Sequence, residues 1–285
     1  MSKGKVASLI QQAKKGAALA ASDTEKWESW LSFYSRFHRY SFQNLMLIML
    51  QSPDATRVAG YRTWQSLGRQ VRKGEQGLSI LAPCFYKKKT DDEKEQVAYY
   101  RSVAVFDISQ TDGDDLPEIA DESLIQATEV PEKLAALKEI AEAEGYTVTE
   151  QVTDTAYHPG VRGWADHTTK AIVLDETGST GMRMKTLIHE LAHMRLHSDG
   201  NTEHEARELE AESVAYVVSN LLGVETEGYS FAYLAFWSHQ DEDKLEQFFK
   251  TSMSRIQETA EQMVAEVEMA LCRTKIEHSI TVLSY

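Results

Sequence analysis

Residues 186–196 read Thr-Leu-Ile-His-Glu-Leu-Ala-His-Met-Arg-Leu, and the His189-Glu190-x-x-His193 within them constrains this chain more than any other feature. The run contains no Gly or Pro and suits a helix. Helical spacing puts His189 and His193 one turn apart on one face, so both imidazoles can reach a single metal ion. Two neutral nitrogen donors suit Zn2+, and Glu190 stands beside any water held in the open position, as a catalytic base must. Leu187, Ile188, Leu191 and Ala192 give the same helix an apolar side to bury. Such a site needs a third ligand from another element. A second helix over about 202–222 can supply it, with Ala211, Val214, Ala215, Val218 and Leu222 marking its buried face. Glu208 and Glu212 flank that face, whereas Glu210 is expected at the solvent. Of Glu208 and Glu212, one can bind metal while the other accepts a hydrogen bond from a ligand histidine. His197 repeats the four-residue spacing, but each step climbs about 6 Å, so one ion cannot reach all three rings. A packing or supporting role is expected for it.

Length and composition bound the rest. With 285 residues and 42% hydrophobic content, two domains with separate cores are expected. No apolar run reaches membrane-spanning length, and residues 1–21 mix Lys, Gln and Ala unlike a signal peptide. Cys84 and Cys272 make no disulfide framework, so a reduced, cytoplasmic setting without a membrane partner is expected. Charge is unevenly spread. Residues 1–110 hold 17 Lys and Arg against 10 Asp and Glu, a net of +7; the remainder hold 13 against 34, a net of −21. A basic half and an acidic half point to two domains with different partners.

The periodicities predict an α+β chain. Helices occupy much of 5–50, and alternating runs at 78–87 and 97–108 form a hairpin. The acidic stretch after Thr111 reads as a linker. Beyond it come a helix over 131–143, a strand at 147–153, a hairpin within 160–174, the two site helices, a long helix over 241–271 and a short strand at 280–283. The domains are expected at 1–112 and 131–285, joined by an acidic linker at 113–130. Within 57–80, Arg57, Tyr61, Arg62, Trp64, Arg69, Arg72 and Lys73 interleave cations with aromatic rings, the combination that single-stranded nucleic acid requires. In the aromatic stretch 229–239, Tyr229, Tyr233 and His239 are placed to lean over a metal, and Tyr233 is the candidate for stabilising an oxyanion.

Several motifs together carry a resemblance. Ser41-x-x-Asn44, Trp64, Val71-Arg72-Lys73-Gly74-Glu75-x-Gly77-x-x-Ile80 and Val105-Phe106-Asp107-Ile108-Ser109-Gln110-Thr111 lie in the first half. Gly163, Ile172-Val173, the histidine motif and Glu208-x3-Glu212-Ser213-Val214-Ala215 lie in the second. The chain resembles the ArdC-type antirestriction proteins of mobile elements. That resemblance implies a domain that binds single-stranded DNA followed by a zincin-like metallopeptidase domain related to the ImmA/IrrE proteins. It also implies Glu208 as the third ligand with Glu212 supporting it, and a specific but unknown protein substrate. Two other functions share these residues: a DNA-coating protein whose zinc site is structural or vestigial, and a regulatory peptidase that cleaves a repressor.

Overall fold

The computed structural model describes residues 3–20, 24–37, 40–85, 97–114, 122–152, 162–166, 168–197, 203–224, 229, 231 and 242–283. They fall into two compact units: Met1–Glu118 with Asp241–Phe249, and Ile119–Gln240 with Lys250–Tyr285. The architecture is α+β with two domains.

The first unit begins with α1 (Lys3–Ala20), α2 (Thr24–Arg36) and α3 (Phe42–Gln51). Trp27, Trp30, Leu31 and Tyr34 recur at three- and four-residue intervals and are buried, as are Leu45, Leu47 and Ile48 of α3. The Trp30 ring stacks on Tyr34 with centroids 5.6 Å apart and meets Phe42 edge-on. After β1 (Val58–Ala59), α4 (Tyr61–Ser66) and β2 (Arg69–Val71), the expected antiparallel hairpin is formed by β3 (Leu78–Phe85) and β4 (Val97–Asp107). The sheet order is β1-β4-β3, and β2 pairs separately with β5 (Thr111–Gly113).

Two polar residues of α3 close the open edge of β3. The Asn44 amide exchanges two 2.8 Å hydrogen bonds with the backbone of Leu81. One strand period away, Gln51 does the same with Ser79 at 2.9 and 3.1 Å. These side chains supply the bonds a further strand would make, which removes an aggregation-prone edge. Asp107 does comparable work at the end of β4. One carboxylate oxygen accepts from the backbone N–H of Thr56 and Arg57, and the other accepts from Ser109. The Gln110 side chain returns a bond to the Asp107 N–H, completing a capping box on the short 3-10 turn Ile108–Gln110.

In the second unit, β8 (Ala171–Asp175) is the central strand, parallel to β6 (Thr147–Gln151) and antiparallel to β7 (Gly163–Asp166). Its run Ile172-Val173-Leu174 is buried, as a strand covered on both faces requires. Among the described residues, four helices complete the unit: α5 (Glu122–Ala143), α6 (Thr180–Leu196), α7 (His204–Leu221) and the bulk of α8 (Glu242–Leu283). Met184, Leu187, Ile188 and Leu191 of α6 are buried along with Val214 and Val218 of α7 and Met253, Ile256, Met263 and Val267 of α8. Arg195 of α6 donates to Glu144, just past the end of α5, and, at 2.7 Å, to Glu266 of α8. Gly163 is needed for close approach. A Cβ there would stand 2.5 Å from the Val173 carbonyl and 2.7 Å from the Thr186 methyl, forcing β7 away from both β8 and α6.

Two element assignments change. Residues 280–283 continue α8 instead of forming a strand, since no Gly or Pro follows Glu242 to stop the helix and propagation is cheap once nucleated. Helix α5 starts at Glu122 and passes through Pro131, taking in residues assigned to the acidic linker. An acid at a helix start is favoured by the helix dipole, which makes that stretch compatible with helix. Among the described residues, no helix is long and apolar enough to cross a membrane, and Cys84 and Cys272 are free thiols.

The Asp107 hub generates a stability prediction. Burial works against its charge, but the hydrogen bonds from Ser109, Thr56 and Arg57 hold its carboxyl below the ordinary value. Asp107→Ala strands those donors and is expected to cost at least about 1–3 kcal/mol in chemical denaturation. Because the folded-state value is depressed, the wild-type advantage exists above the ordinary carboxylate range and fades as pH falls through it.

Candidate functional site

Helix α6 is started by Ser179, whose hydroxyl accepts from the Met182 N–H at 3.2 Å. With its apolar side in the core, the opposite side carries His189, Glu190 and His193 into a cleft of about 720 Å³. Tyr146 and the β7 residues Gly163, Trp164 and Ala165 form one wall, and His204, Arg207 and Glu208 of α7 form another. The Nε2 atoms of His189 and His193 are 3.0 Å apart. Glu208 approaches with one oxygen 3.7 Å from His189 Nε2 and the other 3.5 Å from His193 Nε2. Among the described residues, these three form the one cluster of His, Cys, Asp and Glu whose ligand atoms all lie within 4.8 Å of one another.

The donor set fits a divalent ion. Tetrahedral bonds of about 2.0–2.2 Å separate neighbouring ligand atoms by roughly 3.3–3.5 Å, close to the 3.0, 3.5 and 3.7 Å separations observed. The electrostatics agree. Burial disfavours a charged His189, yet Glu208, Glu212 and Glu190 overcome it and raise the ring from 6.5 to about 9. Burial likewise opposes the Glu208 anion, but the two histidines hold it well below the carboxylate range. The cluster is an anionic pocket whose charge a cation would balance, with the His189 proton filling that part.

Support comes from both flanks of α7. On one, Glu212 lies 3.2 Å from His189 Nδ1 and 2.9 Å from Lys185 Nζ. The ring N–H is not aimed squarely enough for a full hydrogen bond, so the His189–Glu212 contact is chiefly electrostatic. Lys185 in turn sits 3.9 Å above the Tyr229 ring. On the other flank, Glu210 is 1% exposed, contrary to the solvent position expected for it. It contacts His197 Nε2 at 2.9 Å and Arg255 at 3.4 Å. The wheel misled because α7 is covered on both flanks. Glu210 and Glu212 stand roughly 200° apart at 100° per residue, and each has its own buried cation or histidine. Burial pushes the His197 ring below its ordinary value, against the opposing effect of Glu210. Lys185 was absent from the expected site, although its place four residues before His189 on α6 was a usable signal; Arg255, distant in sequence, left none.

Tyr229 donates its hydroxyl to the Ala215 carbonyl at 3.4 Å; Tyr233 and His239 lie outside the described residues. The basic residues of the first unit divide sharply. Trp64 is 2% exposed and donates its indole N–H to the Phe106 carbonyl at 2.9 Å, so it is a core residue with no face to offer a base. The Arg69 guanidinium is consumed by Thr111 and the Gly113 and Asp114 carbonyls, holding β5 in place. Arg72 pairs with Glu75 at 3.0 Å and Asp112 at 3.3 Å, which offsets its charge. Arg62 and Lys73 are exposed, and Arg57 is half-buried. Tyr61, 43% exposed, lines a cleft with Arg72 and Lys73.

Comparison with known proteins gives two family matches, one in each half of the chain. Residues 5–106 match the family of the N-terminal domain of anti-restriction factor ArdC, and residues 141–261 match the IrrE N-terminal-like domain of the M78 peptidase family. An uncharacterized protein of Bacillus anthracis is 27% identical over 277 residues, covering 83% of this chain. The DNA primase TraC of Escherichia coli is 28% identical over 249 residues, covering 75% of this chain. The chain spans only 47% and 16% of those two relatives. Two crystal structures of the antirestriction ArdC protein of plasmid R388 share the fold at 21% identity, covering 79% of this chain and 84% of theirs. The TM-scores are 0.53 for the metal-free form and 0.51 for the Mn(II)-bound form.

The charge pattern of the cluster predicts a pH window for the metal-depleted protein. The raised His189 contributes stability that is complete below 6.5 and is lost as pH rises through about 9. The depressed Glu208 contributes stability that is complete above 4.5 and is lost as pH falls. Thermal stability in excess chelator should therefore fall on both sides of that window. Saturating Zn2+ should remove the alkaline loss, because the ion replaces the His189 proton.

Proposed function

We propose that this chain, an ArdC-type protein carrying both the ArdC N-terminal domain and an IrrE-like peptidase domain, binds single-stranded DNA and hydrolyses peptide bonds at a zinc site. The observation that carries the peptidase reading is the convergence of His189, His193 and Glu208 in one cleft with Glu190. His189, His193 and Glu208 would hold the ion; two imidazoles and one carboxylate are a donor set suited to zinc. When bound, zinc supplies Lewis acidity to water and to the scissile carbonyl. Glu190 takes the proton from the attacking water on its carboxylate and returns it to the leaving nitrogen, so that one water is consumed per bond cleaved. Glu212 and Lys185 hold the His189 ring from behind. The substrate is a protein, the setting is cytoplasmic, and the working division is a DNA-binding domain at 1–112, a connector at 113–130 and a peptidase domain at 131–285.

Purified protein is expected to carry about one zinc per chain. His189→Ala should abolish that content, whereas Glu190→Gln should retain it and lose roughly 10²–10⁴-fold in turnover. Comparing wild type with Glu190→Gln in a screen for cleaved proteins tests the assignment. Full zinc in His189→Ala, or equal cleavage by Glu190→Gln, contradicts it.

The DNA reading rests on the exposed Tyr61 beside Lys73 and Arg72 in the first unit, in a half of the chain with net charge +7. A ring on the surface can stack on unpaired bases and not on paired ones. In the full chain, Tyr61→Ala should weaken single-strand binding by roughly 1–3 kcal/mol. Lys73→Ala should lower the salt dependence by about one unit of slope without altering sequence preference. Trp64→Ala should instead unfold the domain, visible by circular dichroism. Equal affinity for single and double strands would move the weight to a peptidase acting on a repressor.

A further inference from the structure

We propose that His197 and Glu210 form a relay that fixes the His193 ring for metal binding, with His193 Nδ1–H donating to His197 Nδ1 and His197 Nε2–H donating to Glu210. This inference rests on the metal reading above and assigns positioning roles to two residues outside the ligand set. The geometry is continuous. His193 Nδ1 and His197 Nδ1 are 3.1 Å apart, and His197 Nε2 is 2.9 Å from a Glu210 oxygen. The side chains of His197 and Glu210 are 3% and 1% exposed, so water does not stand in for either partner.

The direction of the relay follows from counting protons. His193 Nε2 faces Glu208 and His189, so a metal there requires its lone pair and leaves the proton on Nδ1. Two ring nitrogens at hydrogen-bonding distance share one proton between them. His197 Nδ1 must then be bare, and a neutral His197 carries its proton on Nε2, where Glu210 accepts it. Reversing any one bond sets two donors or two acceptors against each other. Arg255 of α8 stands 3.4 Å from the same Glu210 oxygen and also donates to the Leu196 carbonyl at the end of α6, so it holds the acceptor end of the relay in place. The two ligand histidines are therefore oriented by different means. His189 meets a carboxylate directly through Glu212, whereas His193 reaches one through an intervening imidazole.

The third histidine of the four-residue series thus acts through the second ring and not on the ion. The nitrogen of His197 that faces His193 is Nδ1, a position an asparagine amide oxygen reproduces and a phenylalanine ring does not. The test uses the full chain with Zn2+ alone as probe, measuring its dissociation constant by chelator competition in wild type, His197→Phe and His197→Asn. Unfolding of each metal-free form is followed in parallel. His197→Phe is expected to weaken Zn2+ binding by about 10- to 100-fold, and His197→Asn is expected to recover most of that loss. Ring-nitrogen NMR of the zinc-loaded wild type should place the His193 proton on Nδ1 and the His197 proton on Nε2. A folded His197→Phe with wild-type affinity, or a His197 proton found on Nδ1, overturns the relay alone. Wild-type protein that binds no Zn2+ overturns the metal reading and the relay with it. Should His197→Phe fail to fold, His197→Asn and the wild-type spectrum still decide the matter.

Discussion

The approach of Glu208 to the His189–His193 pair across the α6–α7 seam is the interaction on which the second unit depends. Two imidazoles and a carboxylate are polar groups in a largely covered cleft, and each would be costly there without the others. The surrounding elements are arranged to bring them together. The apolar side of α6 anchors the helix in the core, Gly163 lets β7 come close, and α7 lies near enough for a glutamate to span the gap.

Around that cluster the buried and half-buried charges are paired in sequence outward. Lys185 answers Glu212, Arg255 answers Glu210, and Arg195 joins Glu144 to Glu266. Removing one member of such a pair leaves an uncompensated charge, which is far more damaging than replacing both. The consequence for chemistry is orientation. A ring whose distal nitrogen is committed to a partner has one tautomer and one angle, and a base such as Glu190 works only against a geometry that does not drift. Of these supporting residues, Arg255 and Glu266 are contributed by the long C-terminal helix, so that helix belongs to the site's framework as well as to the core.

The first unit shows how the same residue types can serve two ends. Asn44, Gln51, Asp107 and Gln110 spend their hydrogen bonds on backbone, closing an edge and a turn. Arg69 is similarly drawn inward, Arg72 is paired at the surface with Glu75 and Asp112, and Trp64 fills the core. Of the cations and rings singled out within 57–80, Tyr61, Arg62 and Lys73 lie on the surface, with Arg57 half-buried. Motifs that look like a binding signature because they are rich in Arg and Trp are here, in large part, a folding signature.

Local pattern sufficed wherever the physics is local. The spacing of His189, Glu190 and His193, the hairpin of β3 and β4, the α+β class and the apolar faces of α2 and α6 all follow from periodicity and from residues within a turn or two of one another. Only the tertiary structure could decide which acid of α7 meets which histidine, because a helical wheel sets Glu210 apart from Glu208 and Glu212 but does not say what stands on either flank. It also decided that Glu210 is buried, since its partners His197 and Arg255 come from other helices. The fate of Trp64 was settled the same way: an aromatic between two arginines can be a stacking platform or a core residue, and the Phe106 carbonyl that claims its N–H lies 42 positions along the chain. The sequence states which groups are available within one turn of helix or one strand; burial and pairing depend on residues brought together from far apart, and those are properties of the folded chain.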